Sequence, residues 1–471
     1  MLDQRHIDAF TDMLGAKGTT IDQEAIYPHV REWRDKFIGK APILLMPSST
    51  EDVRNIVRYC DEHHIAIVPQ GGNTGLVGGG IAGLEGRNEV ILSTKRLNKH
   101  ISVDAEDFSV TVDAGVTVSA IQSAAAEHGL LFPLSLASEG SCTAGGIVST
   151  NAGGVHVIRY GTTRALTLGL EAVLPNGEVF SDLSSLRKDN TGYALNQLLI
   201  GAEGTLGVIT RITFKLYPAE MQKHTFWLGV NTPQDALSLF SSARTASGDR
   251  VSVFEILPHT GLEFVLEHIE GTQNPLDTAC NWYVLMEVAT SAADKLLTES
   301  MDDWVAKAFE QGLIKDGAVA QSETQTSAFW KLRESMSEAQ KYVGGSIKHD
   351  ISVPVSKIPA FIEEATALLA EHFPSCRPTP FGHLGDGNLH FNVMQPEGAD
   401  KAEYLANWEE MNRLIHDLTI KYGGSISAEH GIGTLKREEL ARTKSNTALS
   451  MMKAIKQAID PKGIMNPGSL F

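Results

Sequence analysis

The 471-residue sequence is poor in cysteine, with four: Cys60, Cys142, Cys280 and Cys376. They are scattered and form no C-x-x-C or C-x-x-C-H, which disfavours zinc ribbons, c-type haem attachment and disulfide scaffolds. Such usage fits a reducing compartment. Basic charge is also scarce. Lys and Arg number 40 against 57 Asp and Glu, a formal net charge of −17. That balance argues against nucleic-acid binding, and no basic arm is visible. No apolar run is long enough to span a bilayer, which still leaves peripheral membrane contact open. The N-terminal MLDQRHIDAF lacks a basic region followed by an apolar run, and its acids argue against a transit peptide. The expectation is a cytoplasmic protein. No G-x-x-x-x-G-K-[ST] phosphate loop occurs.

What the chain has in quantity is glycine, 43 residues, and it comes in clusters. Clustered glycine marks backbone that approaches a ligand closely; a flexible linker would spread it. Hydrophobic content of 42% and charged content of 21% are ordinary for a globular protein. The length allows two or three domains with sizeable cores.

Taken in order, residues 3–14 read as a surface helix. Residues 43–46 read as a strand, and a helix follows. Ser48 and Glu51 have capping-box spacing, and Val53, Ile56, Val57 and Cys60 repeat at helical spacing. A strand at 65–68 empties into PQGGNTGLVGGGIAG, where successive amides could converge on an anion. Gly78, Gly80 and Gly83 satisfy the letters G-x-G-x-x-G. A dinucleotide fingerprint needs a helix next, and LEGRNEVILST reads as turn then strand. Residues 117–128 read as a helix ended by Gly129. A second glycine-dense segment covers 130–161, a hairpin turns at Asn176-Gly177, and GAEGTLGVIT leads into a long alternating strand. Composition shifts after Pro218: 222–320 mixes strands with amphipathic helices. FWKLRESMSEAQKYV reads as one helix with Arg333 and Ser337 on one face, followed by a strand carrying Lys348.

The richest stretch is FGHLGDGNLHFNV, residues 381–393. His383 and His390 bracket a Gly-Asp-Gly turn, and 388–393 alternate so that His390 and Asn392 share a strand face. Downstream, SISAEHGIG carries Glu429 and His430 side by side. One histidine alone is more often a hydrogen-bonded core residue. Two imidazoles and a carboxylate make an open divalent-metal site, His383, His390 and Glu429, with His430 left to move protons. Zinc suits that donor set best; manganese, cobalt and iron are compatible.

PQGGNTGLVGGG, GSCTAGGIVSTNAGG and GAEGTLGVIT resemble the three flavin-contacting segments of the FAD-linked oxidases typified by vanillyl-alcohol oxidase and para-cresol methylhydroxylase. FWKLRE, IKHDISVPV, FGHLGDGNLHFNV, SAEHGIGTLKREEL and AIDPKGIMNPGSLF resemble the D-2-hydroxy-acid dehydrogenase branch, above all its members acting on D-2-hydroxyglutarate. Together the likeness spans nearly the whole chain. It implies an α+β fold: an FAD-binding domain of two α+β subdomains over 1–218, an α+β substrate domain over 219–424, and a C-terminal segment, 425–471, packing back on the first. It implies that Pro69, Gln70, Gly71, Gly72, Asn73, Thr74, Gly75 and Leu76 wrap the FAD pyrophosphate. Pro133, Ser138, Gly140, Ser141, Gly145, Gly146, Asn151 and Gly153 would line the flavin and its ribityl chain. Glu203, Gly204 and Val208 would meet the adenine side, and Asn466 would return to the flavin. Some members tether FAD through a histidine in the first loop; Asn73 in that loop implies noncovalent FAD.

By the same resemblance His383, His390 and Glu429 match metal ligands and His430 the catalytic base. Arg333 and Lys348 match carboxylate-binding positions, and Asn392 a polar substrate contact. Ser337 stands where eukaryotic members have threonine, so the hydroxyl is kept. The implied activity is oxidation of a D-2-hydroxy acid, with flavin N5 taking the hydride. Two basic residues for one distal carboxylate favour a dicarboxylate, D-2-hydroxyglutarate or D-malate, over D-lactate. An oxidase passing electrons to O₂ stays open, as does a noncatalytic flavin subunit, although the latter would have lost the metal and base residues. With no nicotinamide, haem or iron–sulfur motif, the electron acceptor is expected to be separate, an electron-transfer flavoprotein or a quinone. A homodimer is the family-level expectation.

Overall fold

The computed structural model of the chain describes residues 2–471. The fold is α+β and divides into two compact units. The first comprises 2–154, 161–219 and 429–471; the second comprises 155–160 and 220–428.

Two larger sheets build the first unit, beside a two-stranded one that pairs Leu130–Leu131 with Tyr217–Pro218. In one, Leu44–Leu45, Glu89–Ser93 and Ala66–Gln70 run parallel, with Thr19–Thr20 antiparallel at the edge. Parallel strands need a crossover, and the helix Thr50–His63 supplies the one from Leu44–Leu45 to Ala66–Gln70, which flank Glu89–Ser93. It buries Val53, Ile56, Val57 and Cys60, as their spacing predicts. Its cap lies one residue later than the capping-box reading. Ser49 accepts from the Asp52 amide at 3.1 Å, and the Ser48 amide donates to Asp52 Oδ2 at 2.8 Å. Helix geometry fixes this choice, because only the N-cap side chain reaches the third amide of the first turn. The other sheet is antiparallel, in the order Ile101–Asp104, Ser109–Asp113, Val208–Lys215, Thr167–Val173, Val179–Asp182. After Gly83 comes a 3₁₀ turn, Leu84–Gly86, and then the strand Glu89–Ser93. No helix opens there, which removes the dinucleotide fingerprint.

The chain returns to the first unit at its C-terminal end. Met465 bridges Ile67 in parallel, and the Asn466 amide donates to the Ile67 carbonyl at 2.8 Å. Lys456 Nζ donates to the carbonyls of Thr205 and Met465, both at 2.8 Å, and pairs with buried Asp460.

The second unit has an antiparallel sheet in the order Val251–Pro258, Trp282–Thr290, Gln222–Val230, Asp316–Val319. Alternation sends Phe226, Leu228 and Val230 into one core and Trp227 into another. A second sheet centres on Asn388–Met394, paired with Arg377–Phe381, Ser346–Ile347 and Asp350–Ser352. Leu389, Phe391 and Val393 join the larger core, while Met394 joins the smaller. His390 and Asn392 therefore share the other face.

Two expectations need correction. The segment around Arg333 is not one helix: Glu323–Glu334 and Met336–Val343 part at Ser335, so Arg333 and Ser337 lie on different helices. Lys348 is not in a strand; it stands in the break between Ser346–Ile347 and Asp350–Ser352. Each of those strands is too short to include it.

Candidate active site

In the first unit, the loop after Ala66–Gln70 lies on the second glycine segment. A Cβ on Gly71 would meet Thr143 Oγ1 at 2.4 Å, and one on Gly72 would meet the Ser141 carbonyl at 2.1 Å. Side chains in this loop are committed to its own scaffold. The Gln70 amide donates to the carbonyls of His29 and Gly80, both at 2.7 Å, and its oxygen faces His29 Nδ1 at 2.5 Å. Asn73, at φ +58°, donates to the carbonyls of Pro28 and Arg31, both at 3.0 Å. What the loop offers a ligand is main chain. Gly75 and Gly140 have open space where a Cβ would stand. Thr143 Oγ1 is buried without a hydrogen-bond partner among the described residues. An orphaned hydroxyl beside glycine backbone suits a ligand rich in phosphate and ribose oxygens.

The other expected cofactor residues fall into two classes. Gly145 and Gly146 belong to the helix Ala144–Thr150, and Asn151, at φ +50°, caps it and accepts from the Arg164 amide at 2.9 Å. Pro133, Ser138, Ser141 and Gly153 lie in the loops around it. Glu203 ties the loops together: its carboxylate accepts from the amides of Ile432 at 2.8 Å and Gly433 at 2.7 Å. Burial pushes the Glu203 carboxyl up, and the two amides oppose that rise. Asn466 donates to the carbonyls of Gly79 at 2.9 Å and Glu203 at 2.6 Å. Val208 is buried within its strand, so only its backbone could meet a ligand. Gly204, at φ +73°, makes the turn that precedes it.

The histidines of the second unit are placed by a sheet edge. The outer edge of Val251–Pro258 takes Gly382: Ile256 and Gly382 exchange backbone hydrogen bonds of 2.9 and 3.0 Å. Gly382, at φ +142°, would press a Cβ to 2.9 Å from the Asn388 carbonyl. The turn brings the rings of His383 and His390 to 5.6 Å, with planes at 72°. Phe381 packs on His390 at 5.2 Å. The loop carrying Glu429 is tied to the same sheet where Ser425 and Ser352 exchange backbone bonds of 2.8 and 3.0 Å. Glu429 follows Ala428, the last residue of this unit, by one peptide bond. Within the second unit, ligand atoms of His383 and His390 lie within 4.8 Å of each other. Two neutral imidazoles so placed suit a divalent cation, and a carboxylate is the usual third donor of such a site.

The structure adds a residue that the motifs did not single out. Glu255, fully buried on the strand Val251–Pro258, meets both a predicted ligand and a predicted clamp. Its Oε1 accepts from His383 Nδ1 and its Oε2 from Arg333 Nε, the latter at 2.5 Å. Burial pushes this carboxyl up, but Arg333 and His383 beside it overcome that rise and hold it at about 2. The one charged residue inside VSVFEILP was the available signal. Arg333 lies over the Phe381 ring at 4.9 Å. Asn392 is 2% exposed and donates to Gln340 Oε1 at 2.9 Å. Ser337 and Lys348 are half-buried.

Two family descriptions match the chain. Residues 221–470, more than half the chain, match the family described as FAD linked oxidases, C-terminal domain. Residues 41–182 match an FAD binding domain. The chain is 37% identical over 466 residues to a protein of Arabidopsis thaliana named D-2-hydroxyglutarate dehydrogenase, mitochondrial, covering 99% of this chain and 81% of the relative. It is 36% identical to one of Stutzerimonas stutzeri named D-2-hydroxyglutarate dehydrogenase, covering all of both chains. A solved p-cresol methylhydroxylase superposes with a TM-score of 0.76 at 17% identity, covering 99% of this chain and 97% of the other, a likeness of fold. No helix among the described residues is long and apolar enough to cross a membrane.

Proposed function

The chain belongs to the FAD-linked oxidase family, and from that premise we propose that it oxidises a D-2-hydroxy acid, D-2-hydroxyglutarate foremost, to the 2-oxo acid. What carries the reading is the close pair His383 and His390, with Glu429 following in the sequence, in a chain whose full-length relatives bear that enzyme's name.

In this reading the first unit binds FAD noncovalently and the second binds substrate. His383, His390 and Glu429 would hold the metal, zinc by its donor set. When bound, the flavin supplies a two-electron acceptor and the cation Lewis-acid polarisation. His430 accepts the hydroxyl proton on a ring nitrogen, a contribution of roughly 10²–10⁴-fold. Arg333 has its Nε committed to Glu255, and its terminal nitrogens grip the distal carboxylate as a fork. Lys348 adds a point charge, and Ser337 and Asn392 orient the substrate by hydrogen bonds. The glycine loop gives main-chain amides to the pyrophosphate. A separate flavoprotein or quinone takes the electrons, and the working form is a homodimer.

The test is anaerobic bleaching of the flavin by D- and L-forms of 2-hydroxyglutarate, malate and lactate, with and without a chelator. D-2-hydroxyglutarate should bleach fastest, its L-form should not, and chelation should stop the reaction. A flavin that none of the D-acids reduces in metal-replete protein would end the proposal.

A further inference from the structure

We infer that Glu255 is a positioning residue with two clients: one buried carboxylate that sets the tautomer of His383 and aims the fork of Arg333. The inference rests on the reading just given for the metal and for the substrate carboxylate. Its geometry lies wholly within the second unit.

Position 255 faces Leu285 in the sheet register and sits in a strand whose eight residues are all buried. A lone carboxylate there is costly unless both oxygens are paired. Both are, each with a different functional side chain. His383 is 5% exposed and donates from Nδ1, so its proton belongs on Nδ1 and its lone pair on Nε2. That is the form a metal ligand needs, and a carboxylate on the far nitrogen makes the imidazole a stronger donor. Arg333 is 8% exposed and is fixed at Nε by Glu255 and across its face by Phe381. Phe381 also packs on His390. Glu255 thus joins the cation's ligand and the carboxylate's clamp through a side chain that touches neither cation nor substrate.

Glu255→Gln offers one acceptor and turns an NH₂ toward donors, so it cannot serve both partners. The holoprotein variant should keep its flavin spectrum. Its zinc affinity, measured by competition with a chromophoric chelator, should fall about 10–100-fold. The KM for D-2-hydroxyglutarate should rise with it. Glu255→Asp, which keeps the charge, should recover part of both. Selective ¹⁵N-histidine NMR of the metal-free wild type should report an Nδ1–H tautomer for His383 that is lost in Glu255→Gln. An Nε2–H tautomer in the wild type, or unchanged zinc affinity in Glu255→Gln, would overturn the inference. A protein that binds no divalent ion would overturn the functional reading instead, and the tautomer measurement would still judge Glu255. If neither variant folds, the wild-type tautomer decides.

Discussion

Gly72 lies so close to Ser141 that a methyl group on its Cα would meet the Ser141 carbonyl oxygen at 2.1 Å. The contact is backbone against backbone, and no rotamer change relieves it. Gly72→Ala should force the first glycine loop off the second, at about 1–3 kcal/mol. The expected result is FAD affinity weakened about 10–100-fold, read from flavin fluorescence on dilution. Gly75→Ala, whose Cβ would meet no protein atom, should leave the two loops in place, and its melting temperature should match wild type.

Of the two histidines proposed as metal ligands, His390 is the less buried, so its loss should disturb the fold less than that of His383. His390→Ala should purify yellow but without metal. Its kcat should fall about 10³-fold or more, as expected when Lewis-acid stabilisation of several kcal/mol is removed. Elemental analysis beside the flavin spectrum checks both parts.

Arg333→Lys keeps the charge and discards the planar fork. Losing a charge-assisted bidentate contact worth about 1.5–3 kcal/mol should raise the KM for D-2-hydroxyglutarate about 10–100-fold. Turnover of D-lactate, which has no distal carboxylate, should change far less. Equal losses for both substrates would place Arg333 elsewhere in the chemistry.

Glu203 gives the pH prediction. Its folded value is raised above the ordinary 4.5, so between the two values the folded form holds the proton more tightly than the unfolded form. Its contribution to stability is therefore greatest at acid pH and declines as pH rises through the folded value. Glu203→Gln should lose that slope, and one backbone amide loses its acceptor, at about 1–3 kcal/mol. Melting temperatures of both proteins between pH 4.5 and 8 would test the sign.

Lys456 fastens the C-terminal end to the Thr205 and Met465 carbonyls and to Asp460. Lys456→Met should cost about 3 kcal/mol, because Asp460 loses its cation while staying buried. Hydrogen exchange should quicken at 464–470 more than in the second unit.

Much of this protein is written in local sequence. Period-2 alternation gave the strand holding His390 and Asn392, and helical spacing gave the burial of Val53, Ile56, Val57 and Cys60. Clustered glycines marked loops where backbone meets backbone, since a Cβ is excluded wherever two chains approach so closely. These properties depend on neighbours a few residues apart. Tertiary structure decided what depends on distant ones. Glu255 and His383 are 128 positions apart and meet only because a sheet edge accepts Gly382. The break at Ser335 and the strand ends on either side of Lys348 likewise follow from packing, because intrinsic propensity over one or two residues is weaker than the contacts around them.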